Sequence, residues 1–204
     1  MATSDLEFAE EAVPSAPDKH RGAFLEMLIS SAIGLYASMV LSIEAVTLAA
    51  NPDAALSCNI SDKISCGAVG VSWQAELLGF PNAFLGLIAE AVVITVAVAA
   101  LGGVKFPRWF MLLAQGIYAI GFVFAYWLFW QSFTVIGALC PWCLLITVTT
   151  TLVFVSLTRV NILDGNFGER VRKALTPALR VGVDVWTSLL LIAILAALVI
   201  VEYV

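Results

Sequence analysis

The chain has 204 residues, of which 61% are apolar and 12% are charged. A soluble domain is nearer to half apolar and a quarter charged, and it needs a mostly polar surface. This composition disfavours a soluble enzyme, a nucleic-acid-binding protein and a disordered chain, and it indicates a membrane protein. The net charge of -5 says little, because the positions of Lys and Arg decide membrane topology.

Residues 1–22 are acidic, contain two prolines and end in a basic cluster at Lys19, His20 and Arg21. We predict a disordered cytoplasmic tail here. A secretory signal would begin with a short basic region and lead to a cleavage site with small residues, whereas this segment is acidic and the next apolar run is long enough to stay in the bilayer. His20 has no second ligand near it in sequence, so we interpret it as a solvated residue and not as a metal ligand.

Five apolar runs follow the tail, and each has about the 20 residues that cross a hydrocarbon core of about 30 Å. They predict five transmembrane helices and therefore an all-α membrane protein. Asn, Gly and Pro residues separate the runs, as expected at helix ends. The runs cover residues 27–50, 83–104, 109–130, 141–158 and 183–204.

Nine of the ten Lys and Arg residues fall in three segments that alternating topology places on one side of the membrane. These segments are the tail, the connection between the second and third helices, and a basic loop over 159–182. Because Lys and Arg favour the cytoplasmic side, we predict a cytoplasmic amino terminus. The loop 51–82 and the short stretch near 131–139 then lie on the external face.

All four cysteines fall on this external face. Cys58 and Cys66 lie in the first external loop, where they can close a small exposed disulfide loop, and Cys140 and Cys143 form a CPWC motif at the start of the fourth helix. A CxxC motif at a helix amino terminus holds both sulfurs within one turn, where the helix dipole and free N–H groups stabilise a thiolate. Exchange between two pairs proceeds through a mixed disulfide carried by a flexible segment. The arrangement predicts a dithiol relay.

Two other interpretations of the cysteines stay open. A structural disulfide between Cys58 and Cys66 would be ordinary in an external loop. Four cysteines can also bind zinc, although an oxidising compartment disfavours free thiolates and the second CxxC of a zinc ribbon is absent.

The order of these residues resembles the vitamin K epoxide reductase family in its bacterial form. The pair Cys58 and Cys66 is followed by Ser72, then by Asn82 in the sequence PNAFLG, and then by the CPWC motif. In DsbB-type oxidases, which do similar work, the CxxC motif precedes the spaced pair. The resemblance covers about residues 27–158.

The resemblance implies a four-helix catalytic bundle over 23–158, with 183–204 as a fifth transmembrane helix. A quinone pocket would lie at the external end, under a cover formed by the amphipathic segment that follows Cys66. The cofactor would be a quinone of the menaquinone or ubiquinone type.

The resemblance also implies a role for each cysteine. Cys58 would meet a thioredoxin-fold, DsbA-like partner that acts in trans, and Cys66 would exchange with Cys140. Cys143 would then pass electrons to the quinone.

Three further residues are candidates for binding the quinone. Asn82 would hydrogen-bond a quinone oxygen, although it could instead cap the second helix. Ser72 is a weaker candidate, because a serine at this place is often a cap or turn residue. Thr147 stands four residues past the CPWC motif, where vertebrate members have a tyrosine. This departure argues against reduction of vitamin K epoxide as the function.

Glu44 and Glu90 are the ionisable residues well inside the predicted helices, and an intramembrane carboxylate is a functional candidate by default. We expect both in the external half of the bundle, where they could pass protons to a quinone. The alternative is that each is protonated or hydrogen-bonded for structural reasons.

The sequence thus predicts an oxidoreductase of the inner or plasma membrane, with its cysteines on the periplasmic face. It would generate disulfides by passing electrons from the DsbA-like partner through both cysteine pairs to a quinone, without metal or nucleic acid. The alternatives are a structural membrane protein with two static disulfides, a reductase of a quinone epoxide, and a transporter. The transporter is disfavoured because few polar residues lie in the helices.

Overall fold

A computed structural model describes residues 18–203 of the chain, with side chains over 20–202. In this part of the chain the secondary structure is helical, apart from one isolated parallel bridge between Ile64 and Leu139. The elements in chain order are α1 (Asp18–Ala50), α2 (Cys66–Gly70), a 3₁₀ turn (Trp73–Glu76), α3 (Ala83–Leu101), α4 (Arg108–Gln131), a π-helical turn (Ser132–Ile136), α5 (Pro141–Leu163), α6 (Glu169–Arg180) and α7 (Val183–Tyr203).

Among the described residues, five helices are long and apolar enough to cross a membrane: α1, α3, α4, α5 and α7. The predicted all-α membrane fold is confirmed. The helix ends differ from the predicted ones by a few residues. For example, α3 stops at Leu101 because the N–H groups of Gly102 and Gly103 close its last turn. The helix α5 continues to Leu163, with Asn161 fully buried near its end.

The helices α1, α3, α4 and α5 form a bundle in which α1 packs against α3 and α5, and α4 packs against α5. Small side chains on α1 allow this close approach, as is common between membrane helices. Ser31, Ala37 and Ser38 are all fully buried at these contacts. The helix α7 lies outside the bundle against α5, and its Leu195 also packs on Phe129 of α4.

Contacts between connecting segments define the two ends of the bundle. At one end, Lys63 in the loop before α2 donates a hydrogen bond to the carbonyl oxygen of Glu202 in α7 (3.1 Å). At the other end, Arg108 at the start of α4 donates to the carbonyl oxygen of Asn166 (2.8 Å). His20 at the start of α1 contacts Asp164 at the second end, and Leu139 beside the CPWC motif bonds to Lys63 at the first. The three basic segments therefore share one end of the bundle and the cysteines the other. The cytoplasmic side of the membrane stays a prediction for the basic end.

The start of the chain differs from the prediction in two respects. The helix α1 already begins at Asp18, inside the predicted tail 1–22, of which residues 1–17 lie outside the described part. The interpretation of His20 as a solvated residue is wrong. Its ring is buried, and its Nε2 lies 2.8 Å from the carboxylate of Asp164, because this pair joins the start of α1 to the end of α5.

The predicted basic loop over 159–182 contains the amphipathic helix α6. Its apolar side places Leu179 against Ile162 and Leu163 of α5, while basic side chains such as Lys173 remain exposed. The helix forms because the apolar residues of this segment recur at helical spacing, which lets one face pack on the bundle.

We predict that Gly86→Ala destabilises the bundle. A Cβ atom at Gly86 would meet the Ser38 hydroxyl and lie 3.0 Å from the Ser38 Cβ atom, so α1 and α3 must separate. Overpacking of this kind costs about 1–3 kcal/mol of unfolding free energy. Denaturant titration of the purified protein, followed by circular dichroism, measures the change.

Gly116→Ala in α4 is the matched control. A Cβ atom at Gly116 has no neighbour within 4 Å, and alanine favours a helix over glycine by about 1 kcal/mol. This variant should be as stable as the parent or more so. Equal destabilisation by both substitutions would show that the close contact of Gly86 with α1 is not the cause of the lost stability.

Candidate functional site

The structure joins Cys58 and Cys66 in a disulfide, with their Cα atoms 5.6 Å apart. The side chain of Asn59 organises the small loop, since its Oδ1 accepts hydrogen bonds from the Ser65 hydroxyl (3.0 Å) and the Gly67 N–H (2.9 Å). The expectation of an exposed pair is wrong. Both cysteines are buried, because apolar neighbours such as Leu41 in α1 pack on them.

The CPWC motif forms the start of α5, as predicted. Cys140 is the N-cap residue, and its Sγ accepts a hydrogen bond from the N–H of Cys143 (3.3 Å). Pro141 occupies the first turn, where its missing N–H costs nothing. Gly137 brings the chain to this point from α4, because its left-handed backbone (φ +71°) reverses the chain direction.

The two cysteine pairs meet at one point. The Sγ of Cys140 lies 3.4 Å from the Sγ of Cys66, and both are buried. Two backbone hydrogen bonds hold the segments together: the N–H of Leu139 donates to the carbonyl of Lys63 (2.8 Å), and the N–H of Ser65 donates to the carbonyl of Leu139 (3.0 Å). A free thiol is thus placed against one sulfur of a disulfide, which is the arrangement that exchange requires.

Local hydrogen bonds set the acidity of Cys140. The bond that it accepts from the Cys143 thiol lowers the pKa of Cys140, and the N–H groups of Cys143 and Trp142 lower it further, against the opposing effects of burial and the charge of Glu44. Cys140 therefore forms a thiolate more readily than an ordinary cysteine, which favours it as a nucleophile and as a leaving group.

Glu44 lies against the disulfide. Its carboxylate oxygens are 3.3 and 3.4 Å from the Sγ of Cys58, and its side chain is buried. Potential ligand atoms of Glu44, Cys58 and Cys66 lie within 4.8 Å of one another. The bonded sulfurs are not thiolates, so they cannot ligate a metal in this redox state.

A cavity of about 710 Å³ opens beside the CPWC motif, between α1, α3, α4 and α5. Its walls are predominantly apolar, with a few polar groups, which is typical of sites for hydrophobic small molecules. Cys66, Cys140 and Cys143 form part of the wall. The cavity is also lined by the predicted residues Ser72, Asn82, Glu90 and Thr147, and by Gln74 and Tyr118.

The side chain of Asn82 is held by one hydrogen bond. Its Nδ2 donates to the carbonyl oxygen of Gln74 (2.6 Å), whereas its Oδ1 is buried without a partner among the described residues. It makes no capping bond to the helix α3 that follows. An unpaired buried polar atom is costly, so Asn82 retains unused capacity to bind a ligand in the cavity.

The other two predicted cavity residues bond to their own backbone. The hydroxyl of Ser72 donates to the carbonyl of Val69 (2.6 Å), and that of Thr147 donates to the carbonyl of Cys143 (2.9 Å). Each hydroxyl oxygen can still accept a hydrogen bond.

The segment 66–82, which we name the cover, lines the cavity at the end of the bundle that carries the cysteines. Gln74 is its buried polar residue and donates to the side chain of Gln131 in α4 (3.4 Å). The ring of Trp73 contacts that of Trp127 edge to face. The cover is thus attached to α4 here and to α3 through Asn82.

The model of the vitamin K epoxide reductase family matches residues 25–158 of the chain. The chain belongs to this family. Members are membrane oxidoreductases whose activity is linked to thiols and quinones, and this protein is accordingly a membrane oxidoreductase. The match spans α1 to α5 and stops before α6 and α7. A comparison with curated proteins finds no match.

Two groups at the site of this family member were missed in the sequence. Gln74 and Gln131 connect the cover to α4, and the only signal for Gln74 was a polar residue within an apolar segment. The hydroxyl of Tyr118 donates to Glu90 (3.0 Å) deep in the bundle. This pairing joins α4 to α3 and has no signature in the local sequence of either helix.

We predict that Cys143→Ala raises the pKa of Cys140, because the variant loses the thiol hydrogen bond that favours the thiolate. The pH midpoint for alkylation of Cys140 by iodoacetamide should move to higher pH. Mass spectrometry of peptides measures the alkylation rate at Cys140 separately from that at the other cysteines.

Thr134→Ala is the control for this shift. Its hydroxyl is exposed and bonds only to the carbonyl of Trp130 (2.8 Å) in the same helical segment. An unchanged midpoint in Cys143→Ala, or an equal shift in the control, would show that the Cys143 thiol is not what lowers the pKa of Cys140.

Proposed function

We propose that this protein generates disulfides in the manner of DsbB. It takes electrons from a thioredoxin-fold, DsbA-like partner at Cys58 and Cys66, passes them to Cys140 and Cys143, and delivers them to a membrane quinone of the menaquinone or ubiquinone type. The observation that carries the proposal is the 3.4 Å separation between the sulfurs of Cys66 and Cys140, at the wall of an apolar cavity.

Transfer between the pairs proceeds by two exchanges. After the partner has reduced the outer pair, the thiolate of Cys66 attacks Cys140 in the Cys140–Cys143 disulfide, and Cys143 leaves as a thiolate. The sulfur of Cys58 then attacks Cys66, which re-forms the Cys58–Cys66 disulfide and releases Cys140 as a thiolate. Two electrons have moved to the inner pair. The structure, with a disulfide at the outer pair and thiols at the inner pair, corresponds to the state after this transfer.

The acidity of Cys140 supports the second exchange. A thiol with a lower pKa is a better leaving group in thiol–disulfide exchange, and the pKa of Cys140 is lowered by the Cys143 thiol. Breaking the Cys66–Cys140 bond toward a Cys140 thiolate is therefore favoured. Exchange in this direction re-forms the Cys58–Cys66 disulfide and leaves the inner pair reduced.

The residues around the cavity fit a quinone head group. Asn82 would donate the second hydrogen of its Nδ2 to a quinone oxygen, and its unpaired Oδ1 would accept from the hydroxyl of the reduced quinone. Ser72 and Thr147 place hydroxyl groups along the same wall. A bound quinone would take up the two electrons and two protons released when Cys140 and Cys143 form a disulfide. Apolar side chains form most of the remaining cavity wall.

The proposed location is the inner or plasma membrane, with the basic end of the bundle in the cytoplasm and the cysteines at the periplasmic face. The distribution of Lys and Arg supports this orientation. An oxidising compartment on the cysteine side is also what a disulfide between Cys58 and Cys66 requires.

Cys143→Ala should reduce quinone turnover to background, because Cys140 then has no partner with which to form the inner disulfide. The assay mixes purified protein, a reduced thioredoxin-fold protein and a quinone, and follows quinone absorbance. Peptide mapping without reductant should detect a trapped bond between Cys66 and Cys140. Ser188→Ala in α7 serves as the control with unchanged turnover. Equal rates in Cys143→Ala and the parent would eliminate the relay and favour static disulfides.

Asn82→Ala should raise KM for the quinone by about tenfold, because losing a buried hydrogen bond costs about 1–3 kcal/mol. Initial rates over a range of quinone concentrations measure it. Thr95→Ala in α3, the helix that follows Asn82, is the control, since its hydroxyl is exposed and bonds to the carbonyl of Ala91 (2.8 Å). An unchanged KM in Asn82→Ala would mean that Asn82 serves only to hold the cover.

A further inference from the structure

Electron transfer between the two cysteine pairs does not by itself account for the position of Glu44. It lies in α1 with its carboxylate oxygens 3.3 and 3.4 Å from the Sγ of Cys58. Glu44 does not line the cavity. It is therefore not placed to pass protons to a quinone bound there, which is the role that was expected from the sequence. Glu90, for which the same role was expected, does line the cavity.

No structural partner accounts for the carboxyl group of Glu44. Within residues 18–203 it forms no ion pair, and the only atom in its hydrogen-bonding range is the Sγ of Cys58. That sulfur is in a disulfide and has no proton to donate. A buried carboxyl group without a hydrogen bond is costly, so its presence against this sulfur calls for a chemical reason.

Opening the disulfide supplies that reason. When Cys58 leaves as a thiolate, a second negative charge would form beside the carboxylate in a site where Cys58 and Glu44 are both more than nine-tenths buried. Two like charges at this separation disfavour each other, so one of the two groups holds a proton. Because solvent access is limited, the nearest source or acceptor of that proton is the other group of the pair.

We propose that Glu44 is a catalytic acid and base for Cys58, giving a proton to its sulfur when Cys58 is released as a thiol and taking that proton back when the Cys58–Cys66 disulfide re-forms.

The proton and electron balance closes over one turnover. When the partner's second thiolate displaces Cys58 from the mixed disulfide with that partner, the carboxylic acid of Glu44 gives its proton to the departing sulfur. When Cys58 later attacks Cys66, the Glu44 carboxylate takes the proton back. In that step the Cys58–Cys66 bond forms, the Cys66–Cys140 bond breaks, and the electron pair of the broken bond stays on Cys140.

The other titratable groups facing Glu44 are the remaining three cysteines. Cys66 is part of the same close cluster, and the charge of Glu44 acts on both Cys140 and Cys143 at the start of α5. The one ionisable residue of α3, Glu90, is paired with Tyr118. A carboxylate at position 44 thus disfavours a thiolate at Cys58, whose sulfur it contacts, and at Cys140.

The inference rests on the proposed relay, but its test needs neither quinone nor partner. In Cys143→Ala protein, the Cys58–Cys66 and Cys66–Cys140 disulfides interconvert by intramolecular exchange alone. Their ratio is followed after a jump from acidic to neutral pH, by acid quenching, alkylation and peptide mapping without reductant. Adding Glu44→Gln should slow the interconversion by about tenfold or more, in line with general acid–base catalysis. Glu44→Asp should restore part of the rate.

Glu26→Gln is the matched control. Glu26 lies in the same helix, and its carboxylate accepts a hydrogen bond from the Ser30 hydroxyl (2.7 Å), far in sequence from the cysteines. Its rate should equal that of the parent.

A second measurement separates catalysis from a structural role. In fully reduced protein, the pH midpoint for alkylation of Cys58 should fall in Glu44→Gln, because removal of the carboxylate favours the thiolate. Glu26→Gln should leave it in place. A slow exchange with an unmoved midpoint would show that Glu44 only maintains the local structure, and an unchanged exchange rate would overturn the inference while leaving the relay intact. Absence of any exchange in the parent Cys143→Ala protein would overturn both.

Discussion

The approach of Cys66 to Cys140 is the constraint on which the site depends. These residues are 74 positions apart in the chain, and they belong to a loop and to a helix start. Two backbone hydrogen bonds between residues 63–65 and Leu139 fix the loop against the helix, and burial against α1 completes the enclosure. This meeting point also places Cys66 and Cys140 together in the cavity wall and holds the loop where Cys58 contacts Glu44.

A second constraint comes from packing in the bilayer. Lipid offers no hydrogen-bonding partners, so polar groups inside a membrane protein must find them within the bundle. Tyr118 and Glu90 satisfy each other, and Asn161 donates to Gln115 (3.0 Å). The Oδ1 of Asn82 and the hydroxyl of Ser38 have no hydrogen-bond partner in the described part of the chain, and both residues line the cavity. Polar groups left unpaired at the cavity wall are available to a ligand there.

The fold was largely predictable from local sequence, and the site only in part. Apolar runs long enough to cross a bilayer predict the five helices without reference to any other part of the chain. The start of α5 was equally predictable, because a CxxC motif with Pro141 has a local preference for a helix amino terminus.

The errors concern contacts between distant segments. The burial of the outer pair depends on side chains such as Leu41, which the loop sequence does not contain. His20 was misinterpreted for the same reason, since its partner Asp164 lies at the far end of another helix. Glu44 was recognised as a candidate, but its contact with Cys58 depends on how a polar loop folds back onto α1.

The exposed surfaces of the cover and of the disulfide loop differ in chemistry. Val71, Trp73 and Leu78 on the cover present apolar side chains outward, whereas Ser61 and Asp62 at the loop tip are exposed and polar. In the proposed reaction the two redox partners therefore arrive from different phases, one dissolved in water and one dissolved in lipid. Such a site keeps its donor and its acceptor from reacting directly, because they never compete for the same entrance.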